Sequence, residues 1–291
     1  MISFVYPSFA KINLFFHILG RTSNHYHNVQ TWLQFIDLKD YLIFTQRKDF
    51  CIFINSSTYI SSIQNNLVYK AAMALKPFAR QPIGFNIFIE KNIPIGSGLG
   101  GGSSNAATTL VALNYFWDCS LSNEELRRIG KTIGADVPFF LFQHASWAEG
   151  IGEKLYKKPY YEQYILVIRP NICISTADIF RHSSLENRSV KLNKDDITDI
   201  FALKNVFSRV IHNRYPSIKK NLSKAVDFSS LRLTGTGSCF YLLSKSLVQL
   251  RENQKKIKKH VDSCITRTLN FACIRGKIVK KYDRFWAVAK R

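Results

Sequence analysis

Apolar residues crowd the segment from 8 to 19, where they surround Lys11 and Asn13, and this reads as a strand. Residues 40 to 54 alternate poorly but are rich in Phe and Ile, which favours strands. A helix is expected over about 65 to 78, ending near Pro77, followed by a strand over 85 to 90. A glycine loop occupies 94 to 104. Beyond it, Ala106, Ala107, Leu110, Val111, Leu113, Phe116 and Trp117 fit one face of a helix over about 103 to 117. Ser122 and Glu125 have capping-box spacing between Leu121 and Leu126, which predicts a short helix reaching about Ile133 and stopping at Gly134. The unbroken apolar runs 137 to 142 and 164 to 168 read as buried strand or core. Residues 246 to 261 read as an amphipathic helix with Leu247, Leu250, Ile257 and Val261 inward and its lysines in water. The polar stretch 156 to 163, with Pro159, is the expected boundary between two domains, 1–158 and 159–291.

Composition narrows the class. A chain of 291 residues is comfortable for two domains, and 46% hydrophobic residues with 22 Phe and 13 Tyr argue against disorder. No run approaches the roughly 18 apolar residues of a membrane helix. Lys11 and Asn13 interrupt the N-terminal apolar segment, so a signal peptide is not expected. The cysteines at 51, 119, 173, 239, 264 and 273 form no C-x-x-C pair, so reduced thiols are expected and a zinc site is not. A formal charge of +21 fits nucleic-acid binding, anionic small substrates or a Lys-rich composition, and it bears on association rather than fold.

The glycine loop runs Pro94-Ile95-Gly96-Ser97-Gly98-Leu99-Gly100-Gly101-Gly102-Ser103-Ser104. So many glycines cost chain entropy, which makes sense where backbone must approach something closely. The loop leads straight into a helix, so free N–H groups and the positive helix end converge, an arrangement that binds phosphate. Ser103 and Ser104 could add hydroxyls to phosphate or magnesium. G-x-x-x-x-G-K-[ST] is absent. Gly96-x-Gly98-x-x-Gly101 satisfies a dinucleotide fingerprint, but Asp118 follows the helix with no strand between, against the fingerprint's requirement. The protein-kinase set V-A-I-K, H-R-D and D-F-G is also missing.

Other islands admit a plain reading beside a functional one. Lys11 in an apolar strand could simply snorkel to water. Asp136, between Gly134 and an apolar run, could cap neighbouring N–H groups, although a carboxylate there is costly unless paired or functional. Tyr26-His27, Phe180 and the Thr234-Gly235-Thr236-Gly237-Ser238 turn are ordinary taken singly.

Together and in order, these segments resemble the GHMP kinases (galactokinase, homoserine kinase, mevalonate kinase and relatives). The string Gly98 to Ala107 is similar to the branch acting on a cytidine diphosphate-linked methylerythritol. His25 stands where that branch has Gly before Tyr-His. The resemblance implies an α+β, two-domain GHMP kinase fold, with an N-terminal part like ribosomal protein S5 domain 2 and a ferredoxin-like C-terminal part. It implies ATP with Mg2+, and triphosphate binding at Pro94, Ile95, Gly96, Ser97, Gly98, Leu99, Gly100, Gly101, Gly102, Ser103 and Ser104. Lys11 and Asp136 become the expected catalytic pair. Asn13, Tyr26, His27, Thr176 and Phe180 become substrate contacts, and the 232–238 segment approaches the phosphates. A cytoplasmic monomer or weak homodimer without nucleic-acid or membrane partners is expected.

Overall fold

The structure, a computed structural model, describes residues 2–22, 26–59, 62–172, 174–181, 189–197 and 199–279. The expected turn at Ser23-Asn24, with His25, lies outside the described residues, as does Cys173.

Two long strands, β1 (Ser3–Arg21) and β2 (His27–Arg47), pair antiparallel as the spine of the molecule. Lys11 and Asn13 are two apart on β1, so strand periodicity puts both side chains on one face. The strands expected over 40 to 54 are the end of β2 and β3 (Ile52–Ser56). β3 lies parallel to β4 (Gly84–Glu90), which pairs antiparallel with β2. β5 (Ser146–Glu149) adds to another stretch of β2, and β6 (Lys154–Lys157) adds to β5. The polar 156 to 163 boundary therefore begins inside a strand.

In the second half, β7 (Tyr164–Arg169), β8 (Arg232–Leu233), β9 (Phe240–Ser244) and β10 (Asp262–Leu269) run antiparallel, and β10 joins β7 to β2 through Thr268 and Leu269. β11 (Lys277–Val279) lies along β1. Among the described residues the strands form one sheet whose main path is β11-β1-β2-β10-β7-β9-β8. With 30% helix and 33% strand, the fold is α+β.

Helices α1 (Leu67–Leu75), α2 (Gly101–Phe116), α3 (Asn123–Ile133) and α4 (Val137–Phe142) cover the first half of the sheet. In the second half, α5 (Thr176–Phe180), α6 (Phe207–Arg214), α7 (Pro216–Leu222) and α8 (Leu247–Ile257) contribute to a separate apolar cluster. A third cluster joins β1, β2 and the loop residue Leu99 to Ile165, Val167 and Tyr241. It therefore couples the two halves directly beneath the glycine loop.

Ser122 and Glu125 form both hydrogen bonds of the capping box. α8 buries Leu250 and Ile257 and leaves its lysines exposed. The first helix ends at Leu75 and passes into a 3-10 turn containing Pro77. The run 137 to 142, read as buried strand or core, is buried core in the form of a helix. Pro138 in its first turn forfeits only an N–H that has no partner there anyway. Val137 to Leu141 are buried on every side, which erased the helical period, and Phe139 stacks on Phe35 at 4.3 Å.

Candidate active site

β4 ends at Glu90, and the chain turns into the loop through Lys91 to Ile93. Gly96, Gly98 and Gly100 have φ of 64°, 75° and 73°, a region that favours glycine. A Cβ on Gly98 would lie 2.3 Å from the Thr234 carbonyl oxygen. Gly100 caps α2 in the left-handed conformation and has no side chain with which to occupy the helix's first amides. The N–H groups of Gly101, Gly102 and Ser103 have no carbonyl four residues back to accept them, so this helix end is open to an anion.

Facing the loop, the Lys11 ammonium lies 3.6 Å from a carboxylate oxygen of Asp136. The Lys11 side chain is 4% exposed and that of Asp136 is 42% exposed, so the lysine is held from within while the carboxylate meets the cavity. The Lys11 ammonium donates to Asn13 Oδ1 at 2.7 Å, and the Lys11 amide donates to the Leu99 carbonyl at 3.0 Å. Lys11 therefore does not snorkel to bulk water. Asp136 precedes α4 but makes no side-chain cap, so the capping reading fails too.

Asn13, itself on the cavity wall, is held through both ends of its amide. Its Oδ1 also accepts the Gly235 amide at 2.9 Å, and its Nδ2 donates to Thr31 Oγ1 at 2.8 Å. The side chain thus braces Lys11 against the second half of the molecule. The Gly235 amide is spent on Asn13 rather than offered to a ligand. Asn205 supports the same turn, its Nδ2 donating to the carbonyls of Leu233 at 3.1 Å and Gly235 at 2.8 Å. Arg232 reaches across to the Leu14 carbonyl at 2.6 Å.

A cavity of about 950 Å³ collects most of the expected residues. Lys11, Asn13 and Asp136 line it together with Pro94 to Gly98 and Gly100 to Ser103. Tyr26, His27, Thr176 and Phe180 line its other end. The His27 ring lies 5.2 Å from that of Phe180, and Thr176 Oγ1 lies 3.0 Å from Thr236 Oγ1. Burial, and then the nearby Arg21 cation, push the His27 imidazole below its ordinary value, which favours the neutral ring. Two expected triphosphate residues are not on the cavity wall. Leu99 is wholly buried because its side chain fills the cluster joining the halves. Ser104 is buried, accepts from Ser8 Oγ at 2.8 Å and donates its amide to the Gly100 carbonyl.

The sequence reading missed the cavity end formed by Thr58, Tyr59, Asn65, Asn66 and Leu67. Asn66 was detectable in principle, since it caps α1 by accepting from the Val68 amide at 2.9 Å and precedes an apolar run. It also missed Arg21, Arg181 and Lys91, cations on the wall whose positions carry no local signature.

An open helix end, a facing lysine–carboxylate pair and this sheet make up the arrangement of a GHMP-type kinase, and residues 66–144 match the GHMP kinases N terminal domain. The 4-diphosphocytidyl-2-C-methyl-D-erythritol kinase of Francisella tularensis subsp. novicida is 48% identical over 91% of this chain and 96% of its own length. The same-named protein of Vibrio cholerae serotype O1 is 44% identical over 81% of each. A crystal structure of 4-(cytidine 5'-diphospho)-2C-methyl-D-erythritol kinase superposes with a TM-score of 0.78 at 26% identity, covering 91% of this chain and 98% of that one. Homoserine kinase from Cytophaga hutchinsonii (TM-score 0.62, 14% identity, 96% of this chain and 97% of that one) shares the fold. The chain belongs to the 4-diphosphocytidyl-2-C-methyl-D-erythritol kinase family of GHMP kinases.

Proposed function

We propose that the protein transfers the γ-phosphoryl group of ATP to the 2-hydroxyl of 4-diphosphocytidyl-2-C-methyl-D-erythritol, in non-mevalonate isoprenoid synthesis. The observation that carries the proposal is the 3.6 Å Lys11–Asp136 pair, set in the same cavity as the open amides of α2. At about 950 Å³ the cavity lies near the top of the usual range of about 300–1,000 Å³ for ligand sites, which suits two substrates side by side.

Phosphoryl transfer asks the protein for positioning and charge stabilisation. The loop amides from Gly96 to Ser103 hold the triphosphate. The alcohol oxygen attacks the γ-phosphorus, the bond to the β,γ-bridging oxygen breaks, ADP leaves, and Asp136 accepts the hydroxyl proton. Lys11, fixed by Asn13, orients the hydroxyl and offsets charge developing on the transferred group. Tyr26, His27 and Phe180 take the cytosine ring. Neutral His27 can donate one hydrogen bond to the base and accept another.

Magnesium fits this wall as a guest of the triphosphate. Among the described residues no group of three or more His, Cys, Asp or Glu side chains could hold a metal, while the Ser103 hydroxyl and Asp136 line the cavity. Such a site matches the way Mg2+ is held by phosphates, water and one or two protein oxygens. When bound, the ion neutralises phosphate charge. The enzyme acts in the cytoplasm as a monomer or weak homodimer. Residues 1–158 bind ATP, and residues 159–291 form the second domain. No helix of the described residues is long and apolar enough to cross a membrane.

The test is ADP release with the cytidine substrate, alongside homoserine and mevalonate. Turnover should appear with the first alone. Asp136→Asn should keep ATP affinity and lose about 10²- to 10⁴-fold in kcat, the typical worth of a positioned base. Near wild-type turnover in that variant would remove Asp136 from the role.

A further inference from the structure

Beneath the glycine loop lies a buried carboxylate that the proposed phosphoryl transfer does not use. Asp40, on β2, is 0% exposed. Its Oδ1 accepts the amides of Asn92 at 2.7 Å and Ile93 at 2.8 Å, which fixes the turn between β4 and the loop. Its Oδ2 accepts Asn105 Nδ2 at 2.9 Å and pairs with the Lys91 ammonium. Asn105 Nδ2 lies 2.8 Å from Ser8 Oγ, and Ser8 in turn donates to Ser104 Oγ at 2.8 Å, so the network reaches the first turns of α2.

The position of the ammonium is the anomaly. Lys91 Nζ would lie 3.3 Å from a Cβ placed on Gly101, the first residue of α2. A cation beside a helix N-terminus is opposed by the helix dipole. Joining two amides in a turn does not call for a charge, since a neutral asparagine could accept them. Burying a carboxylate is costly unless the charge is matched. The one partner that makes sense of a charged Asp40 is the ammonium it steadies at an electrostatically unfavourable place. That place lies on the wall of the cavity, where an anion would remove the conflict. The ammonium gives one N–H to Asp40 and another to Asn105 Oδ1 at 3.2 Å, and a third N–H remains for a ligand.

We propose that Asp40 is a positioning residue for the triphosphate site, holding the Lys91 ammonium at the open end of α2 where it meets the phosphates of the bound nucleotide. The proposal deepens the kinase reading and rests on it. A hydrogen bond to a charged group corresponds to about ten- to a hundredfold in affinity.

The experiment measures binding of ATP and of adenosine, by calorimetry without the second substrate, to the full chain and to Asp40→Asn, Lys91→Gln and the double variant. Asp40→Asn should weaken ATP by that factor and leave adenosine unchanged, because the ammonium acts on phosphate. Lys91→Gln should do the same, and the double variant should be no weaker than Lys91→Gln alone. If Asp40→Asn does not fold, Lys91→Gln carries the same ATP-against-adenosine comparison. Unchanged ATP affinity with a lowered Tm would make Asp40 a structural support only and overturn the proposal. Equal weakening of ATP and adenosine, or losses that multiply in the double variant, would also overturn it. Failure of the wild type to phosphorylate the cytidine substrate while still binding ATP would sink the function above and leave this comparison intact.

Discussion

Gly98→Ala is the sharpest probe of how the loop is held. The new Cβ would lie 2.3 Å from the Thr234 carbonyl oxygen and 3.1 Å from that of Gly237. Both are backbone atoms, so no side chain can swing aside. At φ of 75° an L-residue adds a further cost of about 1–2 kcal/mol. Relief requires the loop and the 234–237 turn to part, which breaks the hydrogen bond from Thr234 Oγ1 to the Gly98 carbonyl, now 3.2 Å. A buried hydrogen bond is worth about 0.5–1.5 kcal/mol net. The sum is roughly 1.5–3.5 kcal/mol, a sizeable share of the about 5–15 kcal/mol that holds ordinary proteins folded. For a chain of this size it should lower Tm by roughly 3–14 °C, and the ATP KM should rise because the amides move. The control is Gly102→Ala, whose Cβ would meet only Leu67 Cδ1 at 3.6 Å. In the helix it should gain up to about 1 kcal/mol. Thermal unfolding of the two variants reads the contrast, and ATP-dependent turnover of Gly98→Ala against the wild type reads the displaced amides. Wild-type Tm and KM in Gly98→Ala would show that the two halves do not close on the loop as described.

Asn205→Ala should cost about 2–4 kcal/mol, because it strips the donor from two buried carbonyls, Leu233 and Gly235, and the acceptor from the Phe207 amide. An unchanged denaturant midpoint would refute that. Acid should also weaken the fold through its histidines. Burial is the leading cause that pushes His17, His27, His144 and His212 below their ordinary value, with Arg21, Lys157 and Lys219 adding to the effect at the last three respectively. A depressed imidazole binds its proton later in the folded chain than in the unfolded one. Stability is therefore fully present above the unfolded value of about 6.5 and falls as pH drops through it toward the folded values. Tm measured from pH 8 to pH 5 should decline below that point, and His212→Gln should make the decline shallower. A flat profile would contradict the burial of these rings.

What could be read without coordinates was whatever left its mark in a short stretch of chain. Five glycines in seven positions betray a backbone that must come close to something. The structure shows why each of three needs its freedom: Gly96 and Gly98 for the turn, and Gly100 to cap α2 without a side chain in the way. The capping box at Ser122 and Glu125 is complete within four residues and was equally legible. Pairings that span the chain left no such mark. β10 and β11 return to strands formed more than 200 residues earlier, Thr268 opposite Ile36 and Val279 opposite Ser3, in a lysine-rich tail with little alternation. α4 is legible only as strand or core, because burial on every side removes the periodicity that separates a helix from a strand.

The same distinction runs through the site. Lys11 and Asp136 are charges set among apolar neighbours that only the resemblance joins as a pair, and the fold brings them to 3.6 Å. Asp40 and Lys91 look like any surface acid and base in sequence, because their meaning lies in a contact across 51 positions. Ser104, expected with Ser103 to offer its hydroxyl to phosphate or magnesium, turns inward to that network, while Ser103 lines the cavity. A helix has 3.6 residues per turn, so consecutive residues point about 100° apart. Only the packing of α2 against β1 decides which of the two serines meets a ligand and which meets Ser8.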